Sequence, residues 1–142
     1  MLLETWIYGD KTPFVIDSLT IDDTEESASV IDGYDEIAFV VKAYANQDRS
    51  DAPMYSRKNG GNDRITVDTD NNDIIIPRTE DLYANFENNR LYEAWFAYRV
   101  ESTDSFIELY LGQIKIVAGG LVDIPKGGSD IEYVRGATRC SF

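Results

Sequence analysis

The residues of this chain that could do chemistry are almost all carboxylates. It has 26 acidic residues, one cysteine and no histidine. Without histidine it lacks the usual general acid–base group, the serine–histidine–aspartate arrangement and the commonest zinc ligand. The single Cys140 has no histidine to activate it as a nucleophile. The sequence therefore predicts a protein that is not an enzyme and that uses no cofactor.

One acidic run has the spacing of metal ligands. It extends from Asp68 to Asp73 and begins like a calcium loop, with oxygen-bearing side chains at alternate positions. A calcium loop needs glycine at its sixth position and glutamate at its twelfth, where this chain has Asp73 and Thr79. We interpret the run as an acidic turn between two strands and predict no metal site.

Two other patterns have a possible chemical meaning, and we prefer a structural interpretation for both. Glu93 and Glu108 lie on neighbouring predicted strands and could face each other as a glycosidase pair. Arg99 and Lys115 on the same strands favour a solvated face instead. The stretch at 59–62 contains two glycines but lacks the Lys-Ser/Thr ending of a phosphate loop, which favours a flexible turn.

Strands position these residues, and the two clearest are consecutive. From Arg90 the chain alternates between two faces up to Val100, meets a short polar break, and alternates again up to Val117. Period-two alternation with aromatic residues and a short turn predicts a β-hairpin. The alternation reverses its phase at Gly112, which predicts a β-bulge. A further strong strand is predicted at 35–44.

Shorter patterns complete the predicted fold. Further strands are expected at 5–8, 12–19, 64–67 and 73–76, exposed loops at 22–29 and 47–63, and one helical turn at 79–86 with Thr79 as its cap. Many short strands separated by turns predict an all-β fold, namely an antiparallel two-sheet β-sandwich of the Ig-like or jelly-roll-like kind. Phe39, Phe96 and Tyr98 are expected to be buried between the two sheets.

The charge and hydropathy of the chain limit the kinds of partner that it is expected to bind. The net charge of −13 disfavours binding to nucleic acid and to anionic membranes. The sequence contains no run of about 20 apolar residues that could span a bilayer. The first residues carry no basic group, so we expect cytoplasmic synthesis without a secretory signal. One cysteine permits no internal disulfide, which agrees with a reducing compartment.

The last residues form a separate region in this interpretation. The domain is expected to span 1–117, and 118–142 to be an extended tail with glycine pairs and two small apolar clusters. Such a segment cannot bury much of itself. We predict that it docks on a neighbouring subunit by strand addition. The side chains expected to contact that partner are Leu121, Val122, Ile131 and Val134.

A series of short motifs runs through the domain. They are Gly-Asp at 9–10, Ile-x-Phe-x-Val-Lys at 37–42, Tyr-x-x-Trp at 92–95 and Gly-x-Ile-x-Ile at 112–116. Their order resembles that of the small β-sandwich modules of tailed-phage virion proteins, such as the N-terminal domain of baseplate upper proteins. The chain departs from that pattern in its insertion at 47–63 and in its tail. The resemblance implies a structural or adaptor role and carries over no catalytic residue.

The predicted function is therefore a non-enzymatic structural or adaptor component of a tailed-bacteriophage virion. Its expected partners are other virion proteins or further copies of the chain, and it would be made in the host cytoplasm. The alternative is a carbohydrate-binding β-sandwich module, with an aromatic platform formed by Trp6, Tyr55, Tyr83 and Trp95. Tryptophan and tyrosine in a sandwich are more often core or interface residues.

Overall fold

The computed structural model describes residues 2–17, 19–60 and 64–118. The strands are β1 (Leu2–Ile7), β2 (Phe14–Ile16), β3 (Leu19–Ile21), β4 (Thr24–Glu26), β5 (Glu36–Lys42), β6 (Met54–Arg57), β7 (Thr66–Asp68), β8 (Asp73–Ile76), β9 (Arg90–Arg99) and β10 (Ile107–Val117). One α-helix, α1 (Ala28–Asp32), and two 3₁₀ helices (Arg49–Asp51 and Glu80–Asn85) complete the elements. Cys140 and the four predicted tail contacts lie outside the described residues.

The strands form one large sheet and two smaller ones. The large sheet has five strands in the order β1-β10-β9-β5-β6, a second sheet has the order β2-β8-β7, and β3 pairs with β4. Every pair is antiparallel except β1 with β10. The predicted all-β, sandwich-like fold is confirmed, with one parallel pair at the edge of the large sheet.

The core lies between the large sheet and the smaller elements. Phe39 and Phe96 are fully buried and Tyr98 nearly so, which confirms the predicted core. Phe14 of β2 packs against Phe39 with ring centroids 5.2 Å apart. Ile31 of α1 lies in the same cluster. One face of the large sheet, the inner face, therefore packs on β2, α1 and their neighbours.

The predicted bulge is present at Gly112. The pairing of β10 with β9 shifts between Tyr110 and Gly112, and Gly112 has φ 141, a backbone conformation that side chains rarely allow. The extra residue restores the phase, so that Leu109 before the bulge and Ile114 after it both contact the core. The bulge thus keeps one long strand apolar on a single face.

The prediction of an exposed loop at 22–29 is wrong. Asp22 and Asp23, with φ 52 and 65, form a two-residue turn between β3 and β4. Aspartate tolerates this left-handed conformation, and the twist of such a turn suits a hairpin. The helix α1 then begins after Ser27, whose side chain accepts a hydrogen bond from the Val30 N–H.

The segment 47–63 is less loop-like than predicted. Its described part contains a 3₁₀ helix, capped by Asp48 through the Ser50 N–H, and then the edge strand β6. The turn at 69–72 and the strand at 73–76 are confirmed. The helical turn predicted at 79–86 is a 3₁₀ helix, in which Thr79 is the N-cap residue but makes no side-chain capping hydrogen bond.

Candidate interaction surface

The outer face of the large sheet, which points away from the core, carries the most distinctive arrangement of side chains. The strand pairings place one residue from each of four adjacent strands in a row across this face. The row consists of Tyr110, Trp95, Val40 and Tyr55. Because both faces of β5 are covered, all seven of its residues are buried.

A small second core lies on the outer face. Ala38, Val40 and Ala97 are fully buried there. Ala52, Tyr55, Trp95 and Phe106 pack over them. The connection between β5 and β6 therefore folds back across part of the sheet instead of projecting into solvent.

A buried cation sits above this second core. Lys42 is 3% exposed, and its Nζ lies 2.7 Å from Oε1 of Glu108. The other carboxylate oxygen of Glu108 lies 3.2 Å from Nη1 of Arg49. The Lys42 ammonium is also 4.9 Å from the centroid of the Trp95 ring. A buried ammonium is tolerated only when it is paired, so Glu108 fixes the position of Lys42.

Two aromatic rings of the outer face, those of Phe106 and Trp95, are packed against neighbours. Phe106 has the Arg49 guanidinium 4.2 Å from its centroid and the Arg99 guanidinium 5.0 Å away. Trp95 packs edge-on against Tyr110, with centroids 5.1 Å apart. Cation–π and edge contacts of this kind hold the rings in place.

Glu93 and Glu108 do not face each other. Glu108 is opposite Ala97, and Glu93 is opposite Gln113. Interaction of the Tyr110 hydroxyl with the Glu93 side chain, together with desolvation, raises the pKa of Tyr110 to about 12. The solvated-face interpretation is wrong for Glu108, which is held by Lys42 and Arg49 rather than by Arg99 or Lys115.

The acidic run at 68–73 is a turn, as predicted. Asp68 accepts hydrogen bonds from the Asn71 side chain and from the backbone N–H groups of Asp70 and Asn71. These bonds lower the pKa of Asp68, and the bond from the Asn71 side chain has the largest effect. Asn72 accepts a bond from the Ala28 N–H and ties the turn to α1. Within the described ranges, no group of three or more His, Cys, Asp or Glu residues could hold a metal ion.

Trp6 and Tyr83 belong to the core, which confirms the core interpretation for these two members of the aromatic platform. Both are fully buried. The buried Arg78 joins them, because its guanidinium lies 4.8 Å from the Trp6 ring and donates to the Tyr83 hydroxyl. Burial raises the pKa of the Tyr83 hydroxyl. Neither ring is available to a ligand.

An exposed apolar strip runs along the other side of the outer face. We define it as Leu2, Ile7, Leu91, Tyr110 and the half-buried Val117. The first four are 53%, 48%, 47% and 47% exposed. Ile7 is paired with Val117, whereas Leu91 is opposite Lys115, Leu2 is opposite Gln113 and Tyr110 is opposite Trp95. The strip was not predicted from the sequence, although apolar residues at outward positions of the predicted strands indicate it.

A groove lies at the opposite edge of the large sheet, beside β6. Its volume is about 360 Å³, and its walls include Met54, Tyr55, Pro77 and Leu82. Tyr55 is the one aromatic residue among those that line it. The Arg57 carbonyl at this edge accepts bonds from the N–H groups of Gly60 and Ile65. This edge is therefore partly closed.

Among the described residues, no helix has the length and apolar character to cross a membrane. Two comparisons with known proteins found no match. No protein-family model matches the chain, and no curated protein is similar enough to count as a relative.

Proposed function

We propose that this chain is a structural or adaptor subunit of a tailed-bacteriophage particle. It acts through contacts with neighbouring subunits, either further copies of itself or other virion proteins, after synthesis in the host cytoplasm. Leu121, Val122, Ile131 and Val134 are its proposed contacts within 118–142. The phage context rests on the sequence motifs, and the interaction role rests on the surface of the folded domain.

The observation that carries the interaction role is the apolar strip. Fully burying one large aliphatic side chain contributes about 1.5–3 kcal/mol, and here Ile7 and Val117 are paired, with Leu91 and Leu2 exposed on the same face. Contiguous exposed apolar surface on a soluble domain usually marks a contact site. The ion cluster of Lys42, Glu108 and Arg49 holds the neighbouring half of the face rigid, so a partner would meet an ordered surface.

Sedimentation velocity on charged variants of the strip tests this role. Ile7→Lys and Leu91→Lys are expected to weaken self-association, or binding to a co-purified virion protein, by about tenfold or more, since each places a charge in the contact. Val15→Lys and Val30→Lys are matched controls, because their side chains are 45% and 47% exposed on other elements. Unchanged association of both strip variants would remove the support for this role.

The phage context needs a separate experiment. Mass spectrometry of purified tailed-phage particles from the source of this sequence is expected to find the chain in a fixed ratio to the other virion proteins. Its absence from the particles, with the chain present in the infected cell, would contradict the proposed location.

A further inference from the structure

The free edge of β1 is open, whereas the free edge of β6, at the other side of the sheet, is partly closed. In the parallel pairing with β10, Tyr8 donates its N–H to the Val117 carbonyl, 2.8 Å away. The alternation of a parallel ladder then turns the main-chain groups of residues 4 and 6 toward β10, and those of Thr5 and Ile7 toward the free edge. Within the described residues, neither the N–H nor the carbonyl of Thr5 has a hydrogen-bond partner.

The side chains along this edge are also suited to a partner strand. Thr5 and Ile7 are exposed, as are Leu2 and Leu3. Glu4 is the one charged residue in β1. Natural edge strands are usually protected by several charges, a proline or a covering element. The register of β1 shifts between Leu2 and Glu4, and the regular open edge of four residues, 4–7, is a template for strand addition.

The chain itself contains a segment that matches this edge. Twenty-four residues follow Ala118, the last described residue, which directly succeeds β10. They begin with Gly119-Gly120, and the segment 121–124, Leu-Val-Asp-Ile, then ends at Pro125. These four residues, which include the β-branched Val122 and Ile124, equal the length of the regular open edge, and a proline is tolerated at the end of an edge strand.

The segment cannot easily reach the edge of its own copy. The Asp10 N–H is bonded to the Ile7 carbonyl, so the turn after β1 folds over the free edge at the end where β10 stops. A segment that leaves Val117 must pass this turn before it can pair with Thr5 of its own copy.

From these observations we propose that residues 121–124 add as a strand to the β1 edge of a second copy of the chain. The contact is heterologous, because a tail from one copy meets an edge of the next. The inference rests on the proposed multi-copy function and names the receiving edge and the inserted segment. It also implies that assembly can propagate, since each copy offers one tail and one free edge.

Two full-length variants test the exchange. Thr5→Pro removes the free N–H of β1 without removing a bond to β10. Val122→Pro with Asp123→Pro removes an N–H on whichever side of the inserted strand faces β1. Each variant alone is expected to be monomeric where the wild-type chain associates. Mixed together they are expected to form a 1:1 dimer that grows no further, because only one intact tail and one intact edge remain.

Folding is checked for every variant by circular dichroism and melting temperature. Thr5→Val, which keeps the N–H, is the matched control and should associate like wild type. If Thr5→Pro does not fold, Leu3→Lys with Thr5→Lys replaces it, since charges on an edge also oppose strand addition. A folded mixture that remains monomeric, or folded variants that associate as wild type does, would overturn the inference.

Hydrogen exchange locates the contact. The Thr5 amide is expected to exchange at least tenfold more slowly in the assembled wild-type chain than in the tail variant. Protection of the Tyr55 amide instead would place the tail in the groove beside β6 and overturn the assignment. Association that is lost in Leu91→Lys but kept in both proline variants would leave the proposed function standing and remove only this inference.

Discussion

The ion cluster on the outer face allows a sharp test of how the sheet is held together. Glu108→Gln removes the carboxylate that lies 2.7 Å from the buried Lys42 ammonium. The ammonium, whose side chain is 4% exposed, then has only an amide oxygen and the Trp95 ring as partners. Lys42→Met is the complementary change, because it removes the charge and keeps the apolar stem over the second core.

The two changes are expected to differ in size. Removing one partner of a fully buried ion pair costs about 3–5 kcal/mol. The Glu108 side chain is 24% exposed, and water can reach the pair from that side, so we expect about 2–3 kcal/mol for Glu108→Gln. After Lys42→Met, Glu108 keeps Arg49 at 3.2 Å, and the expected loss is about 1 kcal/mol or less.

Urea unfolding followed by far-UV circular dichroism measures these differences, provided the m-value stays constant. The double variant should be about as stable as Lys42→Met alone, which gives a coupling of about 2–3 kcal/mol between the two sites. Glu87→Gln is the matched control, because it breaks an ion pair to Arg90 in which Glu87 is 75% exposed. If Glu108→Gln costs no more than Glu87→Gln, the buried ammonium does not depend on Glu108 and the reasoning fails.

Three further predictions follow from the same structure. Phe96→Ala should lower the free energy of unfolding by about 3–5 kcal/mol, since the ring is fully buried; an unchanged melting temperature would contradict the strand phase. NMR titration should find the Tyr110 hydroxyl deprotonating near pH 12, and Glu93→Gln should lower that pKa. Because the pKa in the folded state is raised from 10.0, the interaction of Tyr110 with Glu93 contributes fully to stability below pH 10. That contribution is lost as the pH rises through 12. The exposed acidic hairpin at 22–26 should meet a basic partner, so binding to a co-purified virion protein should weaken between about 50 and 500 mM salt, and an affinity that does not fall would leave the charge as a solubility device.

Long alternating segments were predictable from the sequence, and short ones were not. The hairpin of β9 and β10 spans enough residues for period-two alternation to be read, and Gly112 marks its own bulge. β4 and β6 have three and four residues, too few to show a period. The positive φ of Asp22 and Asp23 converts an acidic stretch into a hairpin, and nothing in its composition distinguishes that from a loop.

The candidate surface was harder to predict because its members are far apart in sequence. Lys42 and Glu108 are separated by 66 residues, and their pairing depends on the order of strands in the sheet. The apolar run at 37–41 could have indicated a strand buried on both faces. What covers its outer face, Ala52 and Phe106 among others, is decided by how two connections fold back. Local sequence carries no signal for that choice.

The two edges of the large sheet differ in how far their main-chain groups are already hydrogen-bonded. At β6, the Arg57 carbonyl is bonded to Gly60 and Ile65, and the Asn85 side chain donates to the Pro53 carbonyl. At β1, the apolar strip adjoins main-chain groups of Thr5 that have no partner within the described residues. A partner at the β1 edge would therefore gain hydrogen bonds and apolar contact together, whereas one at β6 would first displace existing bonds. The assembly that we propose would therefore grow at the β1 edge, because two open edges would allow uncontrolled edge-to-edge association.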